Sequence, residues 1–378
     1  MLTGHDESLL HQAALPFGTP VTSDHRFYDR CWVATYDPSG GVALNVGMGV
    51  YGNMNVADGF VCAVAGNQQH NVRVSRELRP DLDGRSVGPL GYEVVVPFEH
   101  VRVSLEPGHG LTACELDWIA RMPAFHEAPT TTRVNGRLAT DVQRYDQVGV
   151  VNGWIELAGQ RHEVVDWFGA RDHSWGVRGG VGGYEPNTGS NPFGAGFLVT
   201  WLLFATDERA GYVQVNRDGT GTQTFMDGRL RWADGRSDRT IVTVDQDIRF
   251  PTGSRLYERA TIQLLDDTGT KHVIECERLC PPIVMRGAGY DNGWDDGAGL
   301  GVHRGLEHVE ADAYDISNVD VPTLDGEIVY GMQREQPVRV TVDGEPGVGD
   351  FTVLAFGDLD FAGVAADATP LPRAPSTD

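Results

Sequence analysis

Short runs in which apolar and polar residues alternate, separated by turn residues, fill most of the chain. Alternation with a period of two is typical of β-strands that bury one face. Such runs recur roughly every 8–12 residues, which is the spacing of a β-barrel or a β-sandwich. In the first half of the chain we predict strands in the second half of 23–41 and at 42–51, 60–65, 71–75, 92–97, 101–105, 111–119, 145–151, 153–157 and 163–172.

The second half of the chain shows the same pattern of short alternating runs separated by turn residues. Turn dipeptides such as Asp218-Gly219, and in the first half Asn152-Gly153 and Ala158-Gly159, predict tight connections between strands. No segment shows the sustained periodicity of a long amphipathic helix, so we predict an all-β fold. The further strands are predicted at 197–206, 211–216, 230–233, 240–244, 259–265, 271–277, 306–314 and 338–342.

A glycine-rich loop at 179–183 divides the chain near its middle. With 378 residues the chain is long for one compact domain and sufficient for two. We therefore predict an N-terminal domain of residues 1–180 and a C-terminal domain of residues 181–365. The last segment, 366–378, is rich in Pro, Ala and Ser, and we predict that it is a disordered tail.

The net charge of −23 limits the classes of partner. Nucleic acids and anionic membrane surfaces are bound through Lys and Arg, so neither is expected here. No apolar run reaches the ~18 residues that span a bilayer, and the N-terminus lacks the features of a secretion signal. We expect a cytoplasmic protein without membrane insertion.

Cysteines and metal-binding residue types give no recognisable motif. The five cysteines are odd in number and contain no Cys-x-x-Cys pair, which disfavours a disulfide framework or a zinc site and predicts free buried thiols. His303, Glu307, His308 and Glu310 lack the His-Glu-x-x-His spacing of a metal site. The glycine-rich loops also lack the Lys-Ser/Thr of a phosphate cradle. We predict no metal and no cofactor.

The most chemically distinctive stretch is 164–178, which combines aspartates, arginines, a histidine and large aromatic residues. Alternation along a strand would place Val164, Asp166, Phe168 and Asp172 on one face, so that charge is buried or lines a cavity. Paired carboxyl groups in an apolar site push their pKa values apart. Asp172, His173 and Asp166 are therefore candidates for general acid–base catalysis. The alternative is a structural corner held by an Arg171–Asp172 ion pair.

Three runs of the chain carry a family resemblance: Asp166-Trp167-Phe168-Gly169-Ala170-Arg171-Asp172-His173-Ser174-Trp175-Gly176, Asp24-His25-Arg26-Phe27-Tyr28-Asp29 and Asp58-Gly59-Phe60. They resemble the carotenoid 1,2-hydratase / AttH-like superfamily, in particular its uncharacterised bacterial branch. That resemblance implies two lipocalin-like (calycin-type) antiparallel β-barrel domains packed side by side, with an apolar ligand in or between them. It implies neither a metal nor a redox cofactor.

The same resemblance implies a cofactor-independent lyase or isomerase of the hydratase type. The substrate would be a hydrophobic isoprenoid, steroid or polyketide, as in secondary metabolism. A non-catalytic carrier of such a molecule and a cyclase that acts by shape alone remain open alternatives, since fold does not determine function. The candidate substrate-binding residues are Trp167, Phe168, Arg171, Trp175, Arg178, Tyr184 and Trp201.

Overall fold

The computed structural model describes residues 4–7, 9–82, 86–186, 189 and 196–372. Within these ranges the protein is nearly all β and forms no α-helix, which confirms the all-β prediction. The strands of the first half are β1 (Phe27–Tyr36), β2 (Val42–Tyr51), β3 (Val56–Ala65), β4 (Gln68–Glu77), β5 (Ser86–Val87), β6 (Leu90–Val96), β7 (His100–Leu105), β8 (Thr112–Ala120), β9 (Phe125–His126), β10 (Thr130–Val134), β11 (Arg137–Leu157) and β12 (Gln160–Val177).

The second half contains thirteen further strands within the described ranges. They are β13 (Phe197–Thr206), β14 (Arg209–Asp218), β15 (Gln223–Trp232), β16 (Arg239–Arg249), β17 (Arg259–Asp266), β18 (Lys271–Arg278), β19 (Ile283–Val284), β20 (Glu307–Asp315), β21 (Thr323–Leu324), β22 (Glu327–Ile328), β23 (Arg334–Glu335), β24 (Pro337–Val342) and β25 (Glu345–Phe356). Three short 3₁₀ helices lie at Gly4–Glu7, Met285–Ala288 and Asp360–Ala362. None of these helices is long and apolar enough to cross a membrane.

The strands of the first half, joined by β20, β21 and β22, form one large antiparallel sheet, which we call the N-terminal sheet. Its order is β22-β21-β20-β4-β3-β2-β1-β12-β11-β8-β7-β6-β5, and β9 and β10 also pair with β11. The sheet curls around an apolar core to which most of its strands contribute, from Val33 on β1 to Val164 on β12. Alternate residues of the same strands face the other way, and this outer face of β1, β11 and β12 carries the site described below.

The C-terminal strands β13 to β18, β24 and β25 close into an antiparallel barrel. Its interior is packed with apolar side chains such as Leu202, Phe204 and Phe351. The neighbouring β13 residues Trp201 and Leu203 point out of the barrel and join a second core with Phe168 and other residues of the N-terminal sheet. Period-two alternation along β13 thus supplies one core inside the barrel and one between barrel and sheet.

The chain returns to the N-terminal sheet after most of the barrel has formed. Strand β20 pairs with β4, so that Glu307 lies opposite Arg76 and Asp315 opposite Gln68. The division into domains 1–180 and 181–365 stays a prediction, and the topology adds that residues 307–328 belong to the sheet of the first half.

Two predicted turns have different outcomes. Ala158 and Gly159, with φ of 49° and 80°, form the predicted two-residue hairpin between β11 and β12. The prediction of a hairpin at Asn152-Gly153 is wrong, because β11 runs through these residues and its partner strand bulges there. Val165 and Asp166 both lie opposite Asn152, and Asp166 has a φ of 51°.

This bulge changes which side chains share a face of β12. One extra residue inverts the alternation, so Val164 packs inside the curled sheet whereas Phe168 and Ala170 pack against the barrel. The prediction that Val164 and Asp166 share a face with Phe168 and Asp172 is therefore wrong.

Part of the predicted tail packs against the barrel. Ala368 is buried in the barrel core, and the Thr369 amide donates to the Gly253 carbonyl at 2.9 Å. Residues 373–378, the remainder of the predicted tail, lie outside the described residues.

Candidate functional site

A cavity of about 250 Å³ lies between the outer face of the N-terminal sheet and the outer wall of the barrel. Strands β1, β11 and β12 form its floor, β13, β14 and β25 form the barrel wall, and the segments around Tyr290 and Glu335 close its sides. Clefts between packed layers are common ligand sites, and this one combines aromatic walls with several charged groups.

Strand register places the polar groups of the floor in two rows. Trp32 of β1, Asp172 of β12 and Asp146 of β11 are directly opposite one another in adjacent strands. Residues that face each other in this way project from the same side of a sheet. One step along, Arg30, Ser174 and Arg144 form the second row.

Glycines on β2 leave space for the larger members of these rows. A Cβ atom at Gly47 would lie 2.3 Å from the Phe60 ring, and one at Gly49 would lie 2.5 Å from Cγ of Arg30. The Gly-x-Gly pattern therefore lets Phe60 and Arg30 lie across β2, where both line the cavity.

The barrel wall is mostly apolar. Val199 and Trp201 of β13 lie opposite Leu354 and Thr352 of β25, on the outer face of the barrel. The Trp201 indole is 6.0 Å from the Trp32 ring in an edge-to-face arrangement, so the two aromatic groups meet across the cavity. Trp201 Nε1 donates to Glu127 Oε1 at 3.0 Å.

Three carboxyl groups surround the single arginine Arg144. Its Nε lies 3.2 Å from Asp172 Oδ2, and its Nη1 lies 3.7 Å from Glu127 Oε1. Asp146 is completely buried, and its pKa is raised well above the usual value, first by burial and then by the charge of Glu127. Burial also raises the pKa of Asp172, against the opposing effect of Arg144. The cluster therefore holds at least one neutral carboxylic acid beside an ion pair.

A second carboxyl pair, Glu335 and Asp350, lies at the barrel side. Asp350 is fully buried and accepts hydrogen bonds from the Tyr36 hydroxyl and from Thr352 Oγ1, the latter at 3.0 Å. Burial raises the pKa of Asp350 to about 6. Burial and the charge of Asp350 raise the pKa of Glu335 well above its usual value. The protonated form of Glu335, which lines the cavity, is therefore favoured over that of an ordinary glutamic acid.

Of the sequence-predicted site residues, the structure brings Asp172, Arg178 and Trp201 together at the cavity. Phe168 is close by in sequence but is buried in the core between sheet and barrel, where it stacks on Tyr36 at 5.9 Å. These four residues share the interface between the two halves because β12 and β13 face each other there.

Four other candidates occupy the opposite face of β12. Arg171 donates to Gln147 Oε1 at 2.7 and 3.1 Å, so the predicted alternative of an Arg171–Asp172 ion pair is wrong. Adjacent strand residues point to opposite faces, which separates the two side chains. His173 Nε2 lies 2.6 Å from Asp29 Oδ1 near the surface. Trp175 packs on His173, and Trp167 packs against the core of the curled sheet.

Asp166 and Tyr184 lie on the surface. The Asp166 carboxylate accepts from Asn152 Nδ2 at 3.2 Å at the bulge, and the Tyr184 side chain is 74% exposed. We therefore leave both, together with His173, out of the proposed site.

Sequence reasoning missed several residues of the cavity. Arg30 and Trp32 are two residues apart on β1 and therefore share a face, as do Arg144 and Asp146 on β11. This period-two spacing could have marked a charged face. Glu335 lies in a two-residue strand without any periodic pattern, so no comparable signal identifies it.

Two residues considered as metal ligands do come together elsewhere. Ligand atoms of His308, Glu310 and Asp295 lie within 4.8 Å of one another. However, Glu310 forms an ion pair with Arg73 and also accepts from the Asp295 amide. The carboxylate is thus satisfied by protein groups, and we assign no metal to this cluster.

A family model described as a family of unknown function (DUF8625) matches residues 2–365. No curated protein matches the sequence significantly. Among solved structures, an AttH-like protein from Nitrosomonas europaea is similar with a TM-score of 0.55 and 14% identity, over 91% of this chain and 97% of that chain. This similarity confirms the predicted AttH-like, lipocalin-like fold.

Two further structures are similar at lower scores. Kievitone hydratase from Nectria haematococca has a TM-score of 0.47 and 11% identity, over 86% of this chain and 88% of that chain. CghA has a TM-score of 0.46 and 10% identity, over 87% of each chain.

Proposed function

The chain belongs to the DUF8625 family of unknown function, and from the chemistry of its cavity we propose that it is a cofactor-independent lyase or isomerase of the hydratase type, acting by general acid–base catalysis on a hydrophobic substrate. The observation that carries this proposal is that two carboxyl groups in contrasting surroundings line one cavity. Glu335 is paired with the carboxyl group of Asp350, and Asp172 with the cation of Arg144. Carboxyl groups in contrasting environments are a common basis for separate acid and base roles.

Glu335 is the proton donor in this proposal. Its raised pKa favours the protonated form that a proton donor requires, and the pKa of Asp350 beside it is raised to about 6. The proton of Glu335 is transferred to one carbon of a substrate double bond, whose π electrons form the new C–H bond. The adjacent carbon becomes cationic and lies near the faces of Trp32 and Trp201, which stabilise positive charge.

Asp172 is the proton acceptor. A water molecule adds to the cationic carbon and loses a proton to the Asp172 carboxylate, which completes a net hydration. Asp172 then releases a proton to solvent and Glu335 takes one up, which restores both groups. If the cation instead loses a proton from a neighbouring carbon to Asp172, the product is an isomer of the substrate. A positioned acid or base contributes typically 10²–10⁴-fold to the rate, so removing either group should reduce turnover by about that factor.

The volume of the cavity restricts the substrate. At about 250 Å³ it is somewhat below the ~300–1,000 Å³ typical of ligand pockets. We therefore favour a compact hydrophobic substrate, or the reacting end of a longer isoprenoid or polyketide, over a complete steroid skeleton.

The experiment is incubation of the purified protein with a hydrophobic metabolite extract in oxygen-18 water, followed by mass spectrometry. The expected result is a labelled product, or an unlabelled isomer, that is lost with Glu335→Gln and with Asp172→Asn. The matched controls are Asp166→Asn and Glu163→Gln, which alter exposed carboxylates outside the cavity and should leave turnover unchanged.

Two outcomes would reject the proposal. Full turnover by folded Glu335→Gln and Asp172→Asn proteins would exclude these groups as acid and base. A compound that is retained by the wild-type protein without chemical change would support the carrier alternative.

A further inference from the structure

Arg178 lies in the cavity without a carboxylate partner. Its guanidinium group lies over the ring of Tyr28 at 5.0 Å and over the ring of Tyr290 at 5.5 Å. Within the described ranges no Asp or Glu oxygen comes close enough to form an ion pair with it. Asp172, the carboxylate on the same floor, is paired with Arg144. The Nε of Arg178 is buried and has no hydrogen-bond partner. A guanidinium group with a buried, unsatisfied donor and no paired carboxylate favours an anionic ligand.

Arg30 lies beside it and has a donor to spare. The side chain is 5% exposed, and its Nη1 donates to the Tyr51 hydroxyl. Asp58, 3.6 Å from Nη1, accepts in addition from Tyr51 and from the Gly301 amide at 2.7 Å. The other terminal nitrogen, Nη2, is buried and has no hydrogen-bond partner. Leaving such a donor unsatisfied costs free energy in the unliganded protein.

The two arginines converge on one ring. Arg30 lies 5.6 Å from the centroid of Tyr290 and Arg178 lies 5.5 Å from it, and both line the cavity. The charge of Arg30 disfavours the charged form of Arg178, so the two guanidinium groups repel each other, and an anion bound beside them relieves that repulsion. Arginine also presents parallel N–H donors that match the two oxygens of a carboxylate.

From this arrangement we infer that Arg30 and Arg178 form a carboxylate-binding subsite, and that the ligand of the cavity is a hydrophobic carboxylic acid in its ionised form. The apolar part of the molecule lies against Trp32, Trp201 and Leu354, and its carboxylate meets the two arginines beside Tyr290. This inference deepens the proposed function and rests on the same cavity being the substrate site.

The subsite is tested by binding rather than by turnover. The probes are 4-butylbenzoate and its neutral isostere 4-butylbenzamide, titrated at pH 7 while the fluorescence of the cavity tryptophans is followed and confirmed by calorimetry. Hydrogen bonds to a charged group should make the benzoate bind roughly 10- to 100-fold more tightly than the benzamide.

Substitutions test whether the preference for benzoate over benzamide comes from the arginine subsite. Arg178→Met should reduce the preference for benzoate by about tenfold or more while benzamide binding changes little. Arg178→Lys, which retains the charge but not the planar donors, should retain part of it. Arg236→Met, which alters an exposed arginine on the barrel, should bind both probes as the wild type does.

Three results would overturn the inference: equal binding of the two probes by the wild type, no binding of the benzoate at millimolar concentration, or an undiminished preference in folded Arg178→Met. Glu335→Gln separates this inference from the proposed function, because it removes the proposed proton donor and leaves both arginines in place. This variant should lose turnover and keep the preference for benzoate. A wild-type protein that prefers benzoate but shows no turnover would reject the acid–base proposal alone.

Discussion

Nε of Arg144 lies 3.2 Å from Oδ2 of Asp172, which is on the neighbouring strand of the cavity floor. Asp172 is the proposed proton acceptor. Nη1 of the same arginine lies 3.7 Å from Oε1 of Glu127, and its charge also acts on the buried Asp146. Since Arg144 lies among three carboxyl groups, its removal should have a larger effect than the loss of one ion pair.

We predict that Arg144→Met destabilises the protein by about 3 kcal/mol, because breaking a buried pair leaves carboxylates without a counterion. Urea denaturation at pH 7 measures this change. The double variant Arg144→Met/Asp172→Asn should recover part of the loss, since it removes one of the uncompensated charges. Arg102→Met, which breaks a half-exposed contact with Asp117, should cost less than about 1 kcal/mol. Equal effects of the two single variants would contradict the prediction.

The Glu335–Asp350 pair should make stability depend on pH. The pKa of Asp350 is raised to about 6 in the folded protein and is about 4 in the unfolded chain. The folded state thus holds a proton that the unfolded state releases, so this stabilising contribution is complete below pH 4 and is lost as the pH rises to 6. Because the carboxyl groups interact, they titrate as a pair.

The measurement is urea denaturation of wild type and Asp350→Asn at intervals from pH 4 to pH 7. Asparagine cannot ionise, so the variant should gain stability relative to the wild type over this range, by on the order of 2 kcal/mol. Asp166→Asn, at an exposed site, should follow the wild-type curve. Parallel curves for wild type and Asp350→Asn would show that Asp350 has an ordinary pKa in the folded state.

Local patterns predicted strands well and the site only in part. β13 was predicted at 197–206 and is observed at Phe197–Thr206, because its apolar run is bounded by clear turn residues. Asp172 was recognised because it lies in a distinctive stretch, whereas Asp166 was placed wrongly by one bulge residue. Arg30, Arg144 and Glu335 join Asp172 through strand pairing and packing between distant segments, which period-two alternation does not specify.

The five cysteines should be unreactive in the native protein. All are free thiols, as predicted, with Cys31 half-buried and the others buried. Burial raises the pKa of Cys31, Cys114 and Cys280 to about 12, so almost no thiolate exists at pH 8. Reaction with a chromogenic disulfide reagent at pH 8 should release no fast equivalent from native protein and five after denaturation. One fast equivalent from the native state would contradict this prediction and place a thiol in contact with solvent, and Cys31 is the least buried of the five.

Gly49 should control the position of Arg30. A Cβ atom there would lie 2.5 Å from Arg30 Cγ and 3.0 Å from the Tyr51 hydroxyl, both within the buried network beside the cavity. Cγ lies near the backbone end of the arginine, so the whole guanidinium group must move to relieve the clash. We predict that Gly49→Ala destabilises the protein by about 1–3 kcal/mol, the usual cost of overpacking.

The same substitution should weaken binding of 4-butylbenzoate relative to 4-butylbenzamide, because a displaced Arg30 no longer meets the carboxylate. The control is Gly179→Ala, where the nearest atom to the added Cβ is 3.7 Å away and no clash arises. Gly49→Ala that is destabilised but retains the wild-type preference would mean that Arg30 is purely structural and that Arg178 alone binds the anion. Loss of the preference in a variant that is still folded would show instead that the glycine on β2 exists to leave room for a binding arginine.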